Sequence, residues 1–229
     1  MRGAPTRATE VYERLRADIL SGRLEPGSRL KFQDVCARWD TSVGAAREAL
    51  TRLVAENLIT VQPRQGYRVA ALSPDGLSDL VLARVELEAT TLRLSVAHGD
   101  TAWEARVVAA LHVLNRTPMK QEGADLPSDG WNRAHAAFHR AMASACPSHR
   151  LLDFADRLRD EALLYQMWAV SARTDPGRDR VGEHQALLDA ALANDADLAA
   201  KLMRDHILRT ASQVFAVVGS ADPAGVPTP

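Results

Sequence analysis

Apolar residues recur three or four positions apart over most of the 229-residue chain, which is the spacing of one face of an α-helix. In the first third, this spacing is interrupted by short segments rich in Gly, Pro, Asp and Ser, which favour turns. LITV at 58–61 and GYRVAAL at 66–72 alternate instead, which predicts two strands of a β-hairpin with its tip at 62–65. The preceding helices are expected at about 7–21, 31–39 and 42–57, and Ser42 is a good N-cap for the third.

Helical spacing continues from Ser73 almost to the end, and no strand is expected after the hairpin. About six helices are predicted there, at about 73–98, 100–115, 128–146, 147–170, 178–193 and 195–217. The fold class is therefore mainly α. We expect a winged helix-turn-helix over residues 1–72 and an all-α bundle over 73–218. The Pro- and Gly-rich segment 219–229 is expected to be a disordered tail.

Charge is distributed unevenly between these parts. Residues 1–72 carry twelve basic and eight acidic residues, a net charge of +4, whereas the remainder carries sixteen and twenty-one, a net charge of −5. A basic first third suggests a polyanionic partner, although so small an excess is equally compatible with a solvated surface. No apolar run reaches the ~18–20 residues of a membrane span. There is no secretory signal, and the two cysteines form no framework, so a cytoplasmic protein is expected.

A third helix followed by a hairpin predicts a DNA-reading surface, since such a helix fits the major groove and a wing reaches the neighbouring backbone. The alternative is a helical packing module without nucleic acid. Arg47 can form a bidentate contact with a phosphate or a guanine. The residues predicted to face DNA lie on two helices and the wing, namely Gln33, Ser42, Val43, Gly44, Arg47, Arg64, Gln65 and Gly66.

The N-terminal third resembles the DNA-binding domain of the GntR-type bacterial transcription regulators in VYERLRADILSGRLEPGSRL and in SVGAAREALTRLVAENLITVQPRQGYRVAAL. The family usually has an arginine at the positions held here by Val43 and Gln33. The operator sequence of relatives therefore does not carry over, and Val43 is suited to a thymine methyl group instead. The match runs through Ile19, Gly22, Leu24, Pro26, Gly27, Leu30, Ser42, Arg47, Glu48, Ala49, Leu50, Arg52 and Leu53.

Four histidines fall on or beside the apolar faces of helices in the bundle. His135 and His139 stand four apart in HAAFHRAMASAC, and one histidine stands on each of the last two helices, His184 and His206. A lone histidine is more often a satisfied core residue than a ligand. Burying several unpaired imidazoles costs about 1–3 kcal/mol each, however, and shared coordination of a cation removes that cost. These four residues therefore predict a metal site.

The bundle, over about 79–215, resembles the FCD ligand-binding domain of the FadR-type branch of that family. Its marks are R-x-x-x-E at Arg84 and Glu88, D-x-x-x-H, and single histidines in the last two helices. In many members the aspartate and the three histidines bind a divalent metal. His135 stands where the aspartate usually lies. The segment WNRAHAAFHRAMASACPSHRLL is more similar to the carbon-starvation-induced regulator (CsiR) group, in which a histidine is also found at this position.

The predicted site favours Zn²⁺ or Ni²⁺, since four neutral imidazoles suit borderline metals and leave the full +2 charge. An anionic carboxylate effector would complete the coordination, with Arg84 or Tyr165 at its far end. The protein is thus predicted to be a regulator, a homodimer that binds double-stranded operator DNA and responds to a small carboxylate. A metal sensor is the first alternative. A hydrolase is the second, but HAAFH lacks the glutamate of HExxH, so no enzyme is expected.

Overall fold

The computed structural model describes residues 6–63, 66–120, 127–170 and 178–218. The predicted tail and the wing-tip residues Arg64 and Gln65 lie outside this part. The elements are α1 (Arg7–Leu20), β1 (Arg29–Leu30), α2 (Phe32–Arg38), α3 (Val43–Ala55), β2 (Ile59–Gln62), β3 (Gly66–Val69), α4 (Pro74–His98), α5 (Thr101–Arg116), α6 (Asp129–Ala143), α7 (His149–Val170), α8 (Arg180–Leu192) and α9 (Ala196–Val218).

The elements α1 to β3 form an N-terminal domain with a winged helix-turn-helix fold. Its sheet is antiparallel in the order β1-β3-β2, with Thr60 opposite Arg68 and Leu30 opposite Tyr67. The predicted hairpin is confirmed. The strand β1 was not predicted, because two residues are too few to show an alternating pattern. The chain reaches β1 through Gly27, whose φ of 73° lies in the left-handed region that glycine tolerates.

The elements α4 to α9 form the predicted six-helix bundle, and short polar side chains begin several of its helices. Ser73, Asp100 and Ser128 each accept a hydrogen bond from a backbone N–H in the first turn of the helix that follows. Ser42 does the same for α3 in the N-terminal domain, as predicted. In the described part of the chain, no helix is both long and apolar enough to cross a membrane.

Two hydrophobic cores hold these parts together, and α7 contributes to both. Leu164 packs into the core of the N-terminal domain, whereas its neighbour Tyr165 packs into the bundle. The N-terminal core is built on residues such as Leu15, Leu50, Leu53, Leu58 and Ile59, and the bundle on Leu92, Trp103, Phe138, Met142, Leu187 and Ile207. The helix α7 therefore connects the core of the N-terminal domain with the interior of the bundle.

Substitution of the buried Leu92 on α4 by alanine is expected to lower the free energy of unfolding by about 2–5 kcal/mol, because it leaves a cavity in the bundle. The matched control is Leu208→Ala on α9, where the leucine is 50% exposed and the expected loss is within about 0.5 kcal/mol. Urea denaturation followed by circular dichroism measures both. Equal losses in the two variants would contradict the packing described above.

Candidate metal centre and nucleic-acid interface

The four histidines come together at one cavity of about 110 Å³ inside the bundle, here called the histidine cavity. One possible ligand atom from each of them lies within 4.8 Å of those of the other three. His139, His184 and His206 are buried and His135 is half-buried. Helical spacing on α6 places the Nε2 atoms of His135 and His139 3.2 Å apart, while α8 and α9 bring the rings of His184 and His206 to 5.6 and 5.2 Å from the ring of His139.

The polar atoms of this cluster are incompletely satisfied. Among the described residues, His139 Nδ1 and His184 Nε2 are buried without a hydrogen-bond partner. Each such atom costs about 1–3 kcal/mol unless something binds it. Neutral imidazole is the commonest protein ligand of transition metals, and the ring atoms are close enough to share one ion. The donor set therefore fits a divalent transition metal.

Burial keeps these rings neutral, which is the form that binds metal. Desolvation, followed by the charges of neighbouring histidines, holds the pKa of His135 and of His139 well below the usual value. Burial lowers the pKa of His184 to about 3, with His206 as the next cause. Burial also lowers the pKa of His206, although Glu183 opposes the shift. At neutral pH each ring therefore has a free lone pair.

Glu183 fixes the orientation of His206. Its carboxylate accepts a hydrogen bond from His206 Nδ1 at 2.8 Å and two from Arg178, at 2.9 and 2.6 Å. Burial alone raises the pKa of Glu183, but the hydrogen bonds from His206 and Arg178 outweigh it and hold that pKa well below its usual range. With Nδ1 engaged, His206 presents Nε2 as its ligand atom, the arrangement that carboxylate–histidine pairs give metal sites. This role was not predicted.

Positive charge lines the rest of the cavity. Asp160 is the single acidic residue among the described residues of the lining, whereas five arginines contribute to it: Arg84, Arg140, Arg159, Arg178 and Arg180. The buried carboxylate of Glu88 accepts hydrogen bonds from Arg84 at 2.7 Å and from Arg159 at 3.1 Å. Burial raises the pKa of Glu88, but the charges of these two arginines outweigh it and lower that pKa. Arg84 thus lies at the cavity, as the sequence suggested.

Tyr165 does not lie at the cavity, so its assignment to the far end of an effector is wrong. Its side chain is buried in the bundle, and its hydroxyl hydrogen-bonds Ser73 at the start of α4. The face of α7 that meets the cavity carries Leu163, Gln166 and Met167 instead. Trp131, on α6, also lines the cavity and stacks on His135 with ring centroids 4.8 Å apart and planes 16° apart.

The residues predicted to contact DNA are at the surface where the structure describes them. Ser42, Val43, Gly44 and Arg47 are exposed at the start of α3, with Val43 58% exposed. The opposite face of α3 is buried through Ala46, Ala49, Leu50 and Leu53. Gln33 is exposed on α2, and Gly66 is exposed at the wing with a φ of 85°.

Comparison with known proteins agrees with this architecture. Residues 7–69 match the bacterial regulatory proteins of the gntR family, and residues 79–209 match the FCD domain. The HTH-type transcriptional regulator BphR of Paraburkholderia xenovorans is 40% identical over 206 residues, covering 89% of this chain and 83% of that protein. The HTH-type transcriptional repressor GlaR of Escherichia coli is 38% identical over 203 residues, covering 86% and 90%.

Solved structures show the same fold. A GntR transcriptional regulator from Rhodococcus sp. RHA1 superposes with a TM-score of 0.73 at 25% identity, and Escherichia coli McbR/YncC with 0.77 at 20%. Each comparison covers 93% of this chain and 99% of the other. The chain is a winged-helix DNA-binding protein with a C-terminal FCD domain. It belongs to the GntR family of bacterial transcription regulators.

The metal-free protein is expected to lose stability as the pH falls below about 6.5. The unfolded chain binds protons there that the folded histidine cluster excludes, so each buried histidine lowers the free energy of unfolding by about 1.4 kcal/mol per pH unit. For His184 this continues down to its pKa of about 3. Urea denaturation at a series of pH values gives the slope of the free energy of unfolding against pH, and a chelator in the buffer keeps the protein free of metal.

The control for this effect is His139→Gln, which removes one of the buried imidazoles. Between pH 6 and 5, the free energy of unfolding of this variant is expected to change less steeply with pH than that of the wild type, by about 1.4 kcal/mol per pH unit. A slope identical to that of the wild type would show that His139 is not held neutral by the fold.

Proposed function

We propose that this DNA-binding regulator changes its affinity for operator DNA in response to a small organic acid held at a histidine-bound divalent metal. The observation that supports this most directly is the cluster of four histidine ligand atoms within 4.8 Å of one another, two of whose ring nitrogens lack partners. His135, His139, His184 and His206 would hold the metal. When bound, the metal supplies a Lewis-acidic centre for a carboxylate oxygen.

The surroundings of the cluster favour an anionic effector. Arg84 lies at the cavity beside Arg159, and both share the carboxylate of Glu88. A metal held by four neutral imidazoles retains its +2 charge, so a carboxylate gains from both the ion and the arginines. Zinc or nickel suits an all-imidazole site best. Arg84 is the residue we assign to the far end of the effector.

The metal itself is the signal in a second candidate function. The same cluster supports it, because a metal sensor needs only the four histidines. The two functions differ in the role of the cavity arginines, because in a metal sensor no effector binds to them. Metal-dependent hydrolysis is disfavoured, because the four clustered ligands are all histidines and the carboxylate of Glu183 is already engaged by His206 Nδ1 and Arg178.

The remaining features of the proposal follow from the family and the sequence. We place the protein near the carbon-starvation-induced regulator group, because a histidine also stands there at the position of His135. We propose a cytoplasmic homodimer on a pseudo-palindromic operator, since a single N-terminal domain contacts too few base pairs for tight specific binding. GlaR, a relative at 38% identity, is named a transcriptional repressor.

Replacing His139 by alanine is expected to abolish most of the metal affinity, because the variant loses one of four ligands that bind together. The purified wild type is expected to contain a stoichiometric transition metal by elemental analysis. His112→Ala, which alters an exposed histidine on α5, is the matched control and should retain the metal. A wild type without transition metal, even after incubation with Zn²⁺, would refute the metal site.

The effector class is tested by thermal shift of the zinc-loaded protein against a panel of small organic acids. A ligand present at one hundred times its Kd stabilises by about 2.7 kcal/mol. Stabilisation of the wild type but not of His139→Ala supports a metal-bound carboxylate. Stabilisation by zinc with no response to any acid supports the metal sensor instead.

Replacing Arg47 by alanine is expected to weaken operator binding by about 1–3 kcal/mol, because Arg47 is exposed on the outer face of α3. Fluorescence anisotropy with a DNA fragment selected by the wild type measures this. The control, Arg93→Ala, removes an exposed arginine from the bundle and should bind as the wild type does. A loss below about 0.5 kcal/mol for Arg47→Ala would exclude Arg47 from the interface.

A further inference from the structure

A chain of ion pairs crosses the groove between the N-terminal domain and the bundle. Arg16 on α1 contacts the carboxylate of Glu56 at 3.2 Å on one side and the carboxylate of Asp160, on α7, on the other. Glu56 is the C-cap residue of α3, and it also accepts a hydrogen bond from the hydroxyl of Tyr12. Arg16 therefore joins α7 of the bundle to the C-terminal end of the helix that carries Arg47.

Asp160 borders both the histidine cavity and the groove between the two domains. It lines the histidine cavity together with all four histidines, and it also lines the groove in which Arg16 and Glu56 lie. Its side chain is only 18% exposed. Burial raises the pKa of Asp160, and the charge of Arg16 is the largest influence that opposes this rise. The carboxylate thus depends mainly on a residue of the other domain for its stabilisation.

Asp160 is the only carboxylate that the cavity offers to a cation, within the described lining. The other charges that act on it are Arg140, which is paired with Asp156 on the surface, and Glu56 across the groove. A cation bound among the histidines would attract Asp160 toward the cavity and would compete with Arg16 for it. Low dielectric inside the bundle strengthens that competition.

We infer that the Arg16–Asp160 ion pair couples the charge held in the histidine cavity to the docking of the N-terminal domain. The inference rests on the proposed metal site. Positive charge in the cavity weakens the pair and loosens α1 from α7, and an anion bound beside the metal restores it. Glu56 and Tyr12 carry the change to the end of α3, so the ligand state of the bundle alters how the DNA-reading surface is held.

Coupling between two sites acts equally in both directions, so the inference can be tested without an effector and without operator DNA. If zinc in the cavity weakens the pair, then breaking the pair from the other domain must strengthen zinc binding by the same factor. Arg16→Gln is expected to raise the affinity for Zn²⁺ about five-fold, although Arg16 belongs to the N-terminal domain. Asp160→Asn is expected to lower it. Arg16→Lys keeps the charge and should stay near the wild-type affinity.

The double variant separates this coupling from a general effect of charge. With Asp160 already replaced by asparagine, the further change Arg16→Gln is expected to leave zinc affinity unchanged, because no carboxylate remains to be released. The matched control is Arg23→Gln. Arg23 also reaches across the domains, to Asp129 at 3.9 Å, but Asp129 is not part of the cavity lining. This control should bind zinc as the wild type does.

Competition with a chelating dye measures these affinities, and hydrogen–deuterium exchange of the wild type with and without Zn²⁺ gives a second readout. The amides of α1 between Tyr12 and Leu20 are expected to exchange faster in the zinc-loaded protein. Unchanged zinc affinity in Arg16→Gln, the same gain in the double variant, or unaltered exchange in α1 each overturns the coupling while leaving the metal site intact. Failure of the wild type to bind zinc overturns the metal site, and the coupling with it.

Discussion

Imidazole rings removed from water need a partner for each ring nitrogen, and this requirement shapes the interior of the bundle. His206 satisfies one nitrogen through Glu183, which Arg178 holds in turn. His139 and His184 each keep one buried nitrogen without a partner. If stability alone determined this core, apolar side chains such as those of Phe138 and Leu187 would be expected in place of the imidazole rings. The unpaired nitrogens therefore support the binding role proposed for the cavity.

Most of the fold could be predicted from the sequence, because periodic apolar positions and capping residues are local signals. Ser42, Ser73 and Ser128 marked the starts of their helices correctly. β1 was missed, because two residues leave no pattern and pair only with a strand nearly forty positions later. The meeting of the four histidines in space was predicted, since each lies on or beside the apolar face of its helix.

The partners of those histidines could not be predicted in the same way. The face of a helix on which a residue lies determines the direction of its side chain, but the angle at which two helices cross determines which residues that side chain contacts. Tyr165 illustrates the difference, because it is buried as its pattern suggests and yet contacts Ser73 instead of the cavity. Glu183 and Asp160 were missed for the same reason. Each is a charged residue with no apolar periodicity, and its role depends on an arginine or a histidine from another helix.

The stacking of Trp131 on His135 gives the cavity an optical property. An excited indole can transfer an electron to a protonated imidazole stacked on it and does so far less to a neutral one, so its emission depends on the state of the ring. Copper or nickel on that imidazole would quench the indole strongly, whereas zinc, with a filled d shell, would mainly shift its emission. Trp39 and Trp103 lie outside the cavity lining, so Trp131 is the cavity tryptophan among those whose side chains the structure describes, and a Trp131→Phe variant gives the background emission of the others. The chain thus contains an intrinsic fluorophore stacked on one of the four clustered histidines.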